Sequence, residues 1–201
     1  MMSLIEVLRL HHWIKNLLLF LPFVASQLAF SENILQNLFL GFLSFGLLAS
    51  ATYILNDILD IKNDKKHITK KYRPIPSGKI SIQMGFLIIA VLLTAIFFIT
   101  KEFEENNFLL YLIVYLLLSL FYSLYLKKIV LIDCFLLSIL YTIRIFAGGE
   151  LVNIIPSFWL ITFSMFLFLS LAFLKRYSEI SLMKNKQTVP GRNYYGSDKL
   201  L

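Results

Sequence analysis

Residues 108–126 read FLLYLIVYLLLSLFYSLYL, a run without a single charge, closed by Asn107 before it and Lys127-Lys128 after it. A helix advances ~1.5 Å per residue, so a run of this length reaches about as far as the ~30 Å hydrocarbon core of a bilayer. It is apolar on every side, which suits lipid and not a water-facing surface. The chain repeats this pattern on both sides of the run. Of its 201 residues 58% are hydrophobic and 15% charged, where a soluble domain carries roughly 25% charged residues. Six segments qualify as spans: 13–30, 34–56, 80–99, 108–126, 129–147 and 156–175. The sequence therefore predicts an all-α polytopic membrane bundle of about six transmembrane helices, a single domain over residues 1–201. No strand alternation, internal repeat or low-complexity tract breaks the pattern. Pro22 falls inside the first span and predicts a kink there.

The charges test this count, because basic residues should gather on one side of a multi-pass protein. Arg9 and Lys15 lie at the N-terminus. The connection 57–79 holds Lys62, Lys65, Lys66, Lys70, Lys71, Arg73 and Lys79, and Lys127-Lys128 forms another connection. The tail adds Lys175, Arg176, Lys184, Lys186, Arg192 and Lys199. Six spans put all of these on one face, leaving only Lys101 and Arg144 of the 19 basic residues elsewhere. Glu32, Glu102, Glu104, Glu105 and Glu150 fall on the opposite face. The alternation predicts cytoplasmic N- and C-termini, a cytoplasmic loop over 56–79 and a cytoplasmic tail over 176–201, an arrangement that fits a bacterial inner membrane. The formal charge of +7 then reads as a topology signal, and no nucleic-acid partner is expected. A cleaved signal peptide is a poor reading of the N-terminus, since five further apolar segments follow. The lone Cys134 sits in an apolar run, permits no internal disulfide, and is expected to be inert packing.

Chemistry concentrates where the second span ends. There the chain reads Asn56-Asp57-Ile58-Leu59-Asp60-Ile61-Lys62-Asn63-Asp64. If the helix continues, Asn56, Asp60 and Asp64 recur every four residues on one face, with Asp57 beside Asp60. Stacked carboxylates repel each other, and a hard divalent cation is their natural compensation. Mg²⁺ prefers oxygen ligands and joins one or two carboxylates to substrate phosphates. Asn56, Asp57, Asp60 and Asp64 are the expected metal set. His67, Lys70 and Arg73 follow within the same loop and complete an anion site, with Arg73 offering a two-pronged fork and Lys70 a point charge. Metal and cations together would clamp a diphosphate and stabilise the charge it gains on leaving. The competing reading is a solvated loop whose lysines only set orientation.

Asn56 to Asp64, followed by His67-x-x-Lys70-x-x-Arg73-Pro74-x-x-Ser77-Gly78, resembles the first Asp-rich motif of the UbiA prenyltransferase superfamily. Arg9-x-x-x-Trp13-x-Lys15-Asn16 is similar to the N-terminus of its polyprenyl-phosphate phosphoribosyltransferase branch, with Leu10 where that branch usually has proline. Tyr122-Ser123-x-x-Leu126-Lys127, Arg144-x-x-Ala147-Gly148 and Lys175-Arg176-Tyr177-x-Glu179 match later landmarks, and Gly191-Arg192-x-Tyr194 with Asp198 resembles the sixth-to-seventh connection. The resemblance implies a helical fold of nine spans around a cavity opening to the cytoplasm. Members move a group off a diphosphate with Mg²⁺ help. Most transfer a polyprenyl chain to an aromatic acceptor, and one branch transfers phosphoribose from phosphoribosyl diphosphate to a polyprenyl phosphate. The N-terminal motif favours the second reaction.

In the resemblance, Lys175, Arg176 and Glu179 stand where most relatives place a second Asp-rich motif. One carboxylate with two cations suits a phosphate-rich substrate better than a second metal. Asp57, Asp60, Asp64 and Glu179 are the expected catalytic carboxylates. Lys15, Asn16, His67, Lys70, Arg73, Lys127, Arg144, Lys175 and Arg176 are the expected phosphate ligands. Asp133 and Arg144, eleven residues apart, fall nearly on one helix face as intramembrane charges. Trp13 and Tyr122 read equally well as interface anchors. Six spans are three fewer than the resemblance implies. Oligomerisation, a separately encoded C-terminal half, or an inactive or partner-dependent fragment would each account for the difference.

Overall fold

The computed structural model describes residues 2–67, 69–103, 107–181 and Tyr194. Within these residues every regular element is helical. The chain runs through α1 (Met2–Leu8), a 3₁₀ segment (Leu10–Phe20), α2 (Leu21–Ser26), α3 (Glu32–Leu59), α4 (Ile61–Asp64), α5 (Ile82–Thr100), α6 (Phe108–Leu124), α7 (Ile132–Leu151) and α8 (Phe158–Ser181).

Four helices are long and apolar enough to cross a bilayer: α3, α5 with its extension to Phe103, α7 and α8. Two of the six expected spans are built differently. Helix α6 has 17 residues, about 26 Å at the ordinary rise per residue, and a 3₁₀ turn over Leu126–Lys128 follows it. The first span is no continuous α-helix. Its 3₁₀ segment of 11 residues, rising ~2.0 Å per residue, and the six residues of α2 together extend about 30 Å. Pro22 sits in the first turn of α2, where its missing N–H costs nothing. The proline expected to kink a helix therefore begins one.

Helices α3 and α7 form the centre. In their most apolar windows 61% and 67% of residues are buried, against 17% for α5 and 11% for α8. Helix α5 lies against α3 and α8 against α7, while the 3₁₀ segment and α6 each touch both central helices. Between lipid-embedded helices close approach replaces the hydrophobic effect as the source of packing energy, and small residues permit it. Trp13 lies flat enough on α3 that a Cβ at Gly46 would sit 2.6 Å from its ring. A Cβ at Gly148 would sit 2.0 Å from the Leu19 carbonyl oxygen. The 3₁₀ segment is thus inlaid between the two central helices. The Trp13 Nε1–H donates to Ser50 Oγ at 3.0 Å, which fixes its depth along α3.

Ser31 and Ser81 cap α3 and α5, their hydroxyls accepting from the N–H of Ile34 and Met84 at 3.3 and 3.2 Å. After α4 the chain folds back under α5. The Ile80 N–H donates to the Pro74 carbonyl at 3.0 Å, and Ile75 is buried against Ile54, Ala51 and Val7. This tuck brings the basic loop beneath the end of α3. The C-terminal ends of α3, α6 and α8 and the N-terminal ends of α5 and α7 meet on one side, the side where the sequence concentrates its basic residues.

Candidate functional site

The end of α3 brings the carboxylates together, but not as a simple four-residue stripe. Helix α3 stops at Leu59, and Asp60 caps it with a non-helical backbone before α4 begins. The break groups Asp57 with Asp64 and sends Asp60 elsewhere. One guanidinium nitrogen, Arg73 Nη1, donates to Asp57 Oδ1 at 3.1 Å and to Asp64 Oδ2 at 2.7 Å. Arg9 Nη2 holds both oxygens of Asp57, at 2.7 and 2.6 Å. Lys70 Nζ stands 4.0 Å from Asp64. Asp60 pairs instead with Lys127, Nζ to Oδ2 at 2.6 Å. The expected face of Asn56, Asp60 and Asp64 is therefore split by the helix break. Asp57 and Asp64 are buried at 1% and 4% exposure. Buried carboxylates need cationic partners, which Arg9 and Arg73 supply.

His67 turns back on its own loop, its Nδ1 accepting from the Thr69 N–H at 3.2 Å. Burial, then the nearby charge of Lys70, pushes its imidazole below the usual histidine range. Both causes favour the neutral ring, which can accept a hydrogen bond. Lys175 is exposed on α8, with no carboxylate against it among the described residues.

Beside this cluster, on the other face of Asn56, lies a cavity of about 110 Å³. Its wall combines Lys15 and Arg144 with the hydroxyls of Thr52, Tyr53, Tyr115, Ser119, Tyr122, Ser123 and Tyr141. Among the described residues the lining contains no carboxylate. Arg144 is 4% exposed. Its Nε donates to Asn16 Oδ1 at 3.0 Å, its Nη1 to the Leu140 carbonyl at 2.6 Å and its Nη2 to Tyr115 OH at 2.8 Å. The guanidinium also faces the rings of Tyr115, Tyr141 and Phe45 at 4.7, 5.6 and 5.9 Å. Neutral oxygens and π-faces thus hold a buried cation that has no counter-ion among the described residues. Such a cavity stabilises an anion. Lys15 completes it, with Nζ 5.6 Å from the Tyr141 ring centre. Asn56 lines the cavity next in sequence to Asp57, and its Oδ1 is buried without a hydrogen-bond partner among the described residues.

Arg176 and Glu179 form a different assembly. Arg176 pairs with Glu179 and, through Nη2 at 2.8 Å, with the fully buried Asp133. Tyr194 donates its hydroxyl to Asp133 Oδ1 at 2.6 Å and accepts the Leu131 N–H at 2.8 Å. Burial and the Asp133 carboxylate raise the Tyr194 phenol above its ordinary range. These residues brace α7 against α8 and do not line the cavity. Asp133 and Arg144, expected on nearly one face, serve separate networks. Gly191, Arg192 and Asp198, which carried part of the resemblance, lie outside the described residues. So do Glu104, Glu105, Lys184, Lys186 and Lys199 of the charge pattern.

Sequence reasoning passed over Arg9 as an ion partner of Asp57, and it passed over the hydroxyl lining. A signal for the second existed: Tyr115, Ser119, Tyr122 and Ser123 repeat at helical spacing along an otherwise apolar helix. The first had none, since Arg9 and Asp57 are 48 residues apart.

A cation-lined cavity thus lies beside the paired carboxylates of Asp57 and Asp64 at one end of an apolar helical bundle. The UbiA prenyltransferase family model matches residues 18–185, and the chain belongs to that family. It is 40% identical over 193 residues to an uncharacterised protein, y4nM, of Sinorhizobium fredii, covering 95% of this chain and 37% of the relative. It is 36% identical over 201 residues to the nodulation protein NoeC of Azorhizobium caulinodans, covering 98% of this chain and 64% of that one. It is also 30% identical over 185 residues to a decaprenyl-phosphate phosphoribosyltransferase of Mycobacterium tuberculosis, covering 90% of this chain and 61% of the relative. The chain thus spans between about two fifths and two thirds of the length of these relatives.

Proposed function

We propose that this chain carries the diphosphate-handling part of a UbiA-type membrane transferase, and that its reaction is phosphoribosyl transfer from phosphoribosyl diphosphate to a polyprenyl phosphate. The observation that carries this reading is the cavity of Lys15, Arg144 and seven hydroxyl side chains, without a carboxylate, beside Asp57 and Asp64. A sugar phosphate needs cations for its phosphate and hydroxyls for its ring. A bare prenyl chain needs neither. The name of the mycobacterial relative supports the same reaction.

Asn56, Asp57, Asp60 and Asp64 are the residues that would hold Mg²⁺. Among the described residues no three of His, Cys, Asp or Glu form a preformed cage. The donor set nevertheless fits, because Mg²⁺ is ordinarily held by one or two carboxylates together with substrate phosphates. Asp57 and Asp64 provide that pair, and the unpartnered Asn56 Oδ1 provides a further oxygen. When bound, the ion would neutralise charge on the departing diphosphate. Arg73, Lys70 and Arg9 stand against Asp57 and Asp64 and would hold phosphate oxygens in place, with Lys127 doing so beside Asp60. Arg144, Lys15 and Asn16 would orient the transferred group from the cavity side, while His67 and Lys175 would act at the rim, and Arg176 and Glu179 would serve by bracing α7 against α8.

The second reading is prenyl transfer from a polyprenyl diphosphate to an aromatic acceptor, the reaction that gives the family its name. An acidic acceptor would use the same Arg144 cavity. Membranes containing the chain, incubated with each labelled donor in turn, separate the two. Labelled lipid formed from phosphoribosyl diphosphate is the expected result, with loss of at least about 100-fold for Asp64→Asn, in line with removal of a transition-state charge partner. A prenylated aromatic product, with no lipid labelled from the sugar donor, overturns the proposal. If neither product forms, the reading as a fragment that needs a second copy or a separate C-terminal half takes its place.

A further inference from the structure

The three carboxylates at the end of α3 already have cations. Arg9 and Arg73 share Asp57, Arg73 also holds Asp64, and Lys127 holds Asp60. Each arginine makes these contacts through a single nitrogen, Nη2 for Arg9 and Nη1 for Arg73. The remaining N–H groups of both forks make no other hydrogen bond to described residues. Arg9 also has a left-handed backbone, φ 50° and ψ 49°, a conformation disfavoured for a residue with a Cβ. It joins α1 to the 3₁₀ segment, and Val7 just before it is buried at 1% exposure. The link that carries the guanidinium is therefore held in a strained turn between two packed elements.

We infer that Arg9 and Arg73 occupy the carboxylates in place of a metal, so that a divalent cation and a diphosphate enter the site together and not one after the other. The inference rests on the transferase reading above. A cation arriving alone must displace the arginines from Asp57 and Asp64. It then leaves two guanidinium groups half-buried without an anion, which is costly away from bulk water. Mg²⁺ also loses its own waters reluctantly. A diphosphate arriving alone meets two arginines whose charge the carboxylates already balance. When both arrive, the cation takes the carboxylates and the phosphate oxygens take the freed forks, and every charge keeps a partner. Arg9 is in this sense a positioning residue. It sets the order of binding by deciding what Asp57 holds while the site waits.

The test uses the full chain in detergent, Mn²⁺ as a spectroscopic probe and inorganic pyrophosphate as the anion, with no turnover. Binding couplings between two ligands commonly amount to about 5–150-fold and are reciprocal. Mn²⁺ alone should bind weakly. Pyrophosphate should tighten it at least tenfold, and Mn²⁺ should tighten pyrophosphate by the same factor. Arg9→Gln frees one carboxylate charge, so it should tighten Mn²⁺ alone by roughly tenfold while weakening pyrophosphate, two changes of opposite sign within the range of such couplings. A purely structural arginine would weaken both together. Arg73→Gln should show the same opposed signs and serves where Arg9→Gln does not fold. Equal Mn²⁺ affinity with and without pyrophosphate overturns the inference and leaves the transferase reading standing. So does an unchanged affinity for Mn²⁺ alone in both variants. Undiminished coupling in Asp57→Asn places the metal elsewhere and removes both.

Discussion

Arg144 shows at the scale of one residue how this sequence turns an expensive choice into a site. A guanidinium inside a bilayer-spanning helix costs several kcal/mol unless its N–H groups are satisfied. Asn16, Tyr115 and the Leu140 carbonyl satisfy them without cancelling the charge. An acidic neighbour would have been the cheaper structural solution, and it would have closed the cavity to anions. Arg144→Lys keeps the charge and loses the fork that bonds Asn16 and Tyr115. Hydrogen bonds to charged groups contribute about 1.5–3 kcal/mol, so donor affinity should fall by roughly 10–100-fold in this variant. A rise in KM for the donor in the membrane assay is the expected result, beside a lower thermal stability because the lost bonds to Asn16 and Tyr115 are internal. If the donor KM stays unchanged, Arg144 is a structural cation only. The sequence marked Arg144 as unusual because a lone charge in an apolar run stands out. Its partner Asn16, from 128 positions earlier, could not be read, because contact between spans depends on how helices rotate and not on spacing.

At the scale of elements the same gap separates what composition dictates from what packing decides. Apolar runs and alternating loop charge are properties of local sequence, so the spans were legible, and α3, α5, α7 and α8 lie where they were expected. The form of the first span was not legible. Its 3₁₀ geometry over Leu10–Phe20 follows from the narrow channel it occupies, between Gly46 on α3 and Gly148 on α7. The carboxylate stripe failed for a related reason. A repeat every four residues presumes an unbroken helix, and α3 stops at Leu59. Gly148→Ala tests the inlay. The new methyl would meet the backbone oxygen of Leu19 at 2.0 Å, an atom that cannot move without shifting the whole segment. Overpacking of this kind costs about 1–3 kcal/mol and should lower the midpoint of thermal unfolding in detergent. Gly85→Ala is the matched control. There the nearest atom is the flexible Cδ1 of Ile58 at 3.0 Å, and little change is expected. Equal effects of the two substitutions would mean that the segment does not run in that channel.

The whole molecule is organised by charge across the bilayer. Asp57, Asp60, Asp64, Arg9, Arg73, Lys127, Asp133, Arg176 and Glu179 lie at or near the ends of elements that meet on one side, joined by ion pairs that are all between different elements except Arg176–Glu179 within α8. At the opposite end Glu150 accepts from the Asn107 backbone N–H at 2.9 Å and from its amide at 3.2 Å, tying the start of α6 to the end of α7. Basic loops resist translocation, so the first side should be cytoplasmic. Under the proposed transfer, a donor made in the cytoplasm would then reach Arg73 and Arg9 directly, and a lipid phosphate would reach them from the inner leaflet. This orientation has a direct measurement. With Cys134 replaced by Ser, single cysteines at Lys62 and Lys101 can be labelled in intact cells by a reagent that does not cross the inner membrane. Position 101 should label in whole cells and position 62 only after lysis. The reverse pattern would turn the carboxylate site toward the outside, where a cytoplasmic diphosphate cannot reach it. Labelling of both positions in whole cells would mean that the chain between α4 and the end of α5 does not cross the membrane at all.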